Sequence, residues 1–97
     1  MAWRLTRKAD ADLVRIVRES KALFGAAHAA AYARGLQKSF DFLAENPRAA
    51  RERDDVVPPV HVLPFRSHLI VYRLEEGDHV AIVRLRHARE DWVADPT

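Results

Sequence analysis

The chain contains no cysteine, so disulfide staples and thiolate chemistry are both excluded, and a reducing compartment is compatible. Glycine occurs only three times, at Gly25, Gly35 and Gly77, which leaves no material for a glycine-rich phosphate loop. No apolar run approaches membrane-spanning length, and the opening MAWRLTRKAD lacks the hydrophobic stretch of a signal peptide. No direct membrane contact is expected, and the cytoplasm is the expected compartment. Charge of one sign is also scarce, for sixteen basic and fourteen acidic side chains leave a net charge of +2.

What is present fits one folded unit over residues 1–97, large enough for one modest core. Hydrophobic residues make up 48% and charged residues 31%, a balance typical of globular domains. Thirteen of the sixteen basic residues are arginine. GC-rich codons, with which the sixteen alanines agree, explain that by composition alone, whereas guanidinium recognition of carboxylates or phosphates explains it by function. Position along the chain has to decide.

Ala2 to Leu5 reads as a short strand. Thr6 follows as a helix N-cap, with Asp10 and Asp12 in the early turns where the helix dipole favours acids. Leu13, Ile16, Val17, Leu23 and Phe24 recur at helical spacing until Gly25 stops the run. A second helical stripe, Ala29, Tyr32, Leu36, Phe40 and Leu43, ends at Asn46-Pro47. Arg48 to Pro59 is charged and proline-terminated, and reads as a solvated loop. Three strand-like segments follow, Val60–Pro64, His68–Leu74 and His79–Arg86, the last two joined by the turn Glu75–Asp78. The order β-α-α-β-β-β predicts an α+β fold. In it an antiparallel helical hairpin packs on one face of a mostly antiparallel sheet and leaves the other face free.

A four-residue turn at Glu75–Asp78 would set Tyr72 opposite Ala81 and Ile70 opposite Val83. Ile70, Tyr72, Leu74, Ala81, Val83 and Leu85 would then face the helices, with Tyr72, Val83 and Leu85 against Leu13, Val17, Leu36 and Phe40. The outer face would carry Leu69, Val71, Arg73, Val80, Ile82, Arg84 and Arg86. That face is either a solvated surface whose arginine stems cover aliphatics, or a docking surface. Its extension past the strand, through His87 and Arg89 to Trp92, adds an aromatic side chain that either anchors a partner or folds back to cap the core.

Five histidines, at positions 28, 61, 68, 79 and 87, show no metal-ligand spacing, so neither a metal nor any other cofactor is expected. Ser20, Ser39 and Ser67 lack the setting of a nucleophile. Acid–base cleavage of RNA would need His87 to exchange protons and Arg66, Arg84, Arg86 or Arg89 to stabilise a phosphorane.

Four stretches taken in order carry a resemblance: LTRKADADLVRI, FDFLAENPRAARERDD, PFRSHLIVYRL and VAIVRLRHAREDW. Together they resemble the RelE/ParE superfamily of bacterial toxins, and the ENPR, SHLIVYR and RLRHAREDW pieces look like its ParE branch. The resemblance implies a toxin of a type II toxin–antitoxin pair that arrests growth by inhibiting DNA gyrase without enzymatic activity. It implies a ParD-like antitoxin partner in a heteromeric complex, which meets operator DNA only through the antitoxin. On this reading Arg73, Arg84, Arg86, His87, Arg89 and Trp92 form the target- or partner-binding surface. The sister RelE- and YoeB-like branch cuts ribosome-bound messenger RNA, and there the match to SHLIVYR carries a functional arginine where this chain has Leu69. Two alternatives accompany the gyrase reading: such a ribonuclease, or a toxin-derived module acting only in antitoxin-linked transcriptional regulation. Ala50 and Ala88 stand where glycine is usual in the ParE pattern, a departure that matters only if the backbone there needs positive φ.

Overall fold

The computed structural model describes residues 3–97. It contains β1 (Trp3–Leu5), α1 (Arg7–Phe24), α2 (Ala26–Glu45), β2 (Glu52–Arg53), β3 (Val60–Phe65), β4 (His68–Glu75) and β5 (His79–His87). The five strands form one sheet in the order β1-β5-β4-β3-β2, antiparallel except for the β1–β5 pair. The α+β hairpin-on-sheet fold is therefore the observed one. Its first strand begins at Trp3 among the described residues, and Ala2 lies outside them.

Thr6 caps α1 as expected, with Oγ1 accepting from the Ala9 N–H at 3.1 Å. The same hydroxyl donates to the Val83 carbonyl at 2.9 Å, so the cap also ties α1 to β5. Gly25 ends α1 and opens α2 at φ 93°, a conformation glycine adopts without the Cβ penalty. Ala50 and Ala88 are not among the positive-φ residues, so neither alanine is strained where glycine is usual.

The loop Arg48–Pro59 is more structured than its charge suggests. Glu52–Arg53 adds an edge strand beside Val60–His61, and Val56 is fully buried. Its N-terminal end is pinned by Tyr72, whose hydroxyl donates to the Pro47 carbonyl at 3.0 Å. His61 stacks on the Tyr72 ring, and its Nδ1 lies 2.7 Å from the Ala50 carbonyl.

The register of the β4–β5 hairpin differs from the expected one in two compensating ways. The turn holds three residues, Glu76–Asp78, with Gly77 and Asp78 at positive φ, so Glu75 rather than Leu74 pairs with His79. That one-residue shift turns Val80 and Ile82 toward the helices and Ala81 away. A bulge then leaves Val83 without a partner, between the pairs Tyr72–Ile82 and Val71–Arg84. It restores the expected parity from Leu85 onward. The core beneath the helices accordingly holds Ile70, Tyr72, Val80, Ile82 and Leu85 with Ile16, Leu36, Phe40 and Leu43, and Leu13 and Leu74 at its margin. Tyr72 and Leu85 are placed as expected; Ala81 and Val83 are on the opposite side.

The second sheet face is not free. Val71, Ala81 and Val83 are buried there with Val56, Val60 and Trp92, flanked by Val62 and Leu69. The loop before β3 and the segment after β5 fold back over it. The reason is the apolar area on that face: each buried valine is worth about 1.5–3 kcal/mol, and nothing else among the described residues covers it.

Candidate functional site

The six residues singled out from the sequence fall into two groups. Arg73, His87 and Arg89 are exposed. Arg84, Arg86 and Trp92 are not available in the way expected. The Arg84 guanidinium grips Asp12 of α1 in a two-point ion pair, Nε–Oδ2 at 2.7 Å and Nη2–Oδ1 at 3.0 Å. Asp12 also accepts the Leu85 N–H at 3.0 Å and one Arg15 N–H at 3.2 Å. Burial pushes the Asp12 carboxyl up, but Arg84, the Leu85 N–H and Arg15 together hold it below the ordinary aspartate range. Because β1 stops at Leu5, the edge of β5 beyond it has no strand partner. Thr6 and Asp12 supply side-chain oxygens there instead.

Arg86 is 8% exposed and pairs with Glu90 at 2.9 Å, while its Nε has no partner. Glu90 accepts the His87 N–H at 2.7 Å as well, and the Arg89 N–H donates to His87 Nδ1 at 3.1 Å. These bonds fix the turn that follows β5. Trp92 is 6% exposed, seated on the second cluster with the Arg53 guanidinium 5.1 Å from its ring centre. The expected patch of free arginines with an aromatic tip is thus corrected to a pinned arm. Arg84, Arg86 and Trp92 hold it, and Arg73, His87 and Arg89 face solvent. Sequence alternation could not show this, because Asp12 is 72 residues away from Arg84.

A second feature was not read from the sequence. Between the α1–α2 tip and the β3–β4 turn lies a groove of about 740 Å³, lined among others by Leu23, Phe24, His28, Tyr32, Arg66 and His68. Phe24, His28 and Tyr32, four residues apart, form an aromatic ladder with centroid spacings of 4.7 and 6.4 Å. Tyr32 lies 2.6 Å from His68 Nδ1. His68 pairs across the strands with His87, and their rings meet edge-to-face at 5.3 Å. Burial lowers the His68 pKa, and the neighbouring His87 lowers it further. The expected register had set His68 opposite Leu85, so this histidine pair stayed hidden.

Fold and arm together define a small α+β protein with a helical hairpin on a sheet whose reverse face is covered by the loop before β3 and the segment after β5. Comparison with known proteins narrows this. The family model described as "ParE toxin of type II toxin-antitoxin system, parDE" matches residues 3–92. Toxin ParE1 of Caulobacter vibrioides is 34% identical over 85 residues, covering 88% of this chain and 86% of that protein. Toxin ParE1 of Mycobacterium tuberculosis is 35% identical over 68 residues, covering 70% of this chain and 69% of that protein. A solved structure titled "Chromosomal ParDE TA system from P. aeruginosa" superposes with a TM-score of 0.76 at 25% identity, covering 90% of this chain and 95% of that one. The chain belongs to the ParE toxin family of type II toxin–antitoxin systems. Among the described residues no helix is long and apolar enough to cross a membrane.

Proposed function

We propose that this protein is the toxin of a ParDE-type pair, a non-enzymatic inhibitor of DNA gyrase that a ParD-like antitoxin neutralises. The observation that carries the reading is the family match, which runs from β1 through Trp92 and so includes the pinned arm. The chemistry of the arm agrees with binding rather than phosphate cleavage. Two of the four arginines that could serve a phosphorane, Arg84 and Arg86, are committed to Asp12 and Glu90. Leu69 occupies the position of the ribonuclease branch's arginine and packs against the second core. The target-directed groups are then Arg73, His87 and Arg89, displayed on a rigid support.

The test is a supercoiling assay with purified gyrase. Wild-type protein is expected to inhibit, and Arg73→Glu with Arg89→Glu is expected to abolish inhibition while leaving the unfolding midpoint unchanged. Both side chains are exposed, so loss of inhibition cannot be ascribed to unfolding. Unimpaired gyrase together with cleaved ribosome-bound messenger RNA would overturn the reading. Expression is expected to arrest replication before translation, and co-expression of the neighbouring antitoxin gene to restore growth.

A further inference from the structure

The groove beside the histidine pair shares only His87 with the gyrase reading, and its chemistry points elsewhere. The tautomers follow from the hydrogen bonds. The Arg89 N–H donates to His87 Nδ1, so the proton of the neutral ring sits on Nε2. A phenol is the natural donor to an imidazole nitrogen, so the Tyr32 hydroxyl donates to His68 Nδ1 and leaves the His68 proton on Nε2 as well. Each ring therefore offers an Nε2–H donor. The ring centroids are 5.3 Å apart, within the span of one small anion. In this arrangement neither ring presents a basic nitrogen to the groove, so the pair is built to hold an anion rather than to abstract a proton.

Arg66 supplies the charge. It lines the same groove, at the turn that connects β3 to β4. Its φ is 52°, a conformation that disfavours any residue but glycine, asparagine or aspartate. That φ is the one a two-residue hairpin turn between the paired Phe65 and His68 requires, and it holds Arg66 at the groove rim. The remaining wall is flat and apolar: the Phe24–His28–Tyr32 ladder on the helical side, and Phe65 packed edge-on against Tyr32 at 5.3 Å. Leu23 and Phe24 are 74% and 65% exposed at the lip.

We propose that this groove binds a nucleotide, with a phosphate monoester held by His68, His87 and Arg66 and the base laid against the aromatic ladder. Adenosine monophosphate is the probe. Charged and polar groups from several elements surround the pair. Arg15 and Glu19 come from α1, Arg66 from the turn, and His87 and Glu90 from the end of β5 and the turn beyond it, with the Tyr32 hydroxyl facing from α2. Glu19 opposes the phosphate, and Glu19→Gln is expected to strengthen binding.

The measurement is calorimetric titration of the full chain with adenosine monophosphate, alongside imidazole NMR signals of His68 and His87. Saturable one-to-one binding that shifts both histidines is expected. Inorganic phosphate should bind more weakly, and adenosine without phosphate not detectably. Arg66→Ala and His87→Ala should each weaken binding at least about tenfold, as loss of a hydrogen bond to a charged group does. Both side chains are exposed, and unchanged thermal melting will show that the variants are folded. No saturation, equal affinity for adenosine, or undiminished binding by both variants overturns the proposal. A phosphorylated oligonucleotide that binds far more tightly than the mononucleotide overturns the free nucleotide as the ligand and assigns the groove to a strand end. Gyrase inhibition is read in a separate assay, so either proposal can fail while the other stands.

Discussion

Removing the Asp12 carboxylate tests whether a buried side chain stands in for a missing strand. Asp12→Ala leaves the Leu85 N–H without an acceptor in a buried setting, which costs about 1–3 kcal/mol. It also leaves the Arg84 guanidinium without its two-point partner. Breaking a buried ion pair costs about 3–5 kcal/mol, but Arg84 keeps 15% of its side-chain surface and can recover some hydration, so the lower part of that range applies. A total near 3 kcal/mol follows, because the two losses share one carboxylate and do not add in full. For a chain of this size that lowers the melting temperature by about 12–24 °C. The pH dependence supplies an independent check. The carboxyl's pKa is depressed in the folded state, so its stabilisation is fully present above the unfolded value of about 3.9 and is lost as pH falls through the folded value. Urea unfolding of wild type and Asp12→Asn should therefore differ most at neutral pH and converge in acid. A loss under about 0.5 kcal/mol for Asp12→Ala, or a wild-type–Asn gap constant from neutral pH into strong acid, would refute the clamp.

Trp92→Ala should cost about 3–5 kcal/mol by emptying the second cluster, and removal of residues 92–97 should do the same. Leu36→Ala, beneath the other face, should cost roughly 2–5 kcal/mol in the same urea assay. Tyr72→Phe should cost about 1 kcal/mol, since only the hydroxyl that holds the Pro47 carbonyl is lost. Glu75→Gln, which breaks the solvent-exposed pair with Arg4, should leave the unfolding midpoint where it is.

The sequence carried the element order apart from the two-residue β2, because Thr6, Gly25 and Asn46-Pro47 punctuate two strongly periodic helical stripes. It carried half of the hairpin's faces. Whether the turn at Glu75–Asp78 spans three residues or four changes every side chain of β5, and the residue types there suit both. The bulge at Val83 has no local signature at all; it arises where β5 leaves β1 and meets α1. The arginines of the arm were legible as residues but not as partners. Periodicity reports neighbours a few positions apart, whereas Arg84 is neutralised from the far end of the chain. Trp92 posed a choice between anchor and cap, and the apolar area of Val71, Ala81 and Val83 settles it in favour of the cap.

Because the first strand pairs with the last, the polypeptide is a closed loop in topological terms: Trp3–Leu5 runs alongside Val80–Ile82. During synthesis the N-terminal tenth of the protein has nothing to pair with until its final quarter has left the ribosome. Asp12 has only Arg15 beside it until Arg84 is made, and the helical hairpin has only part of a sheet beneath it. A translation product interrupted before Trp92 is therefore expected to leave the back of the sheet open.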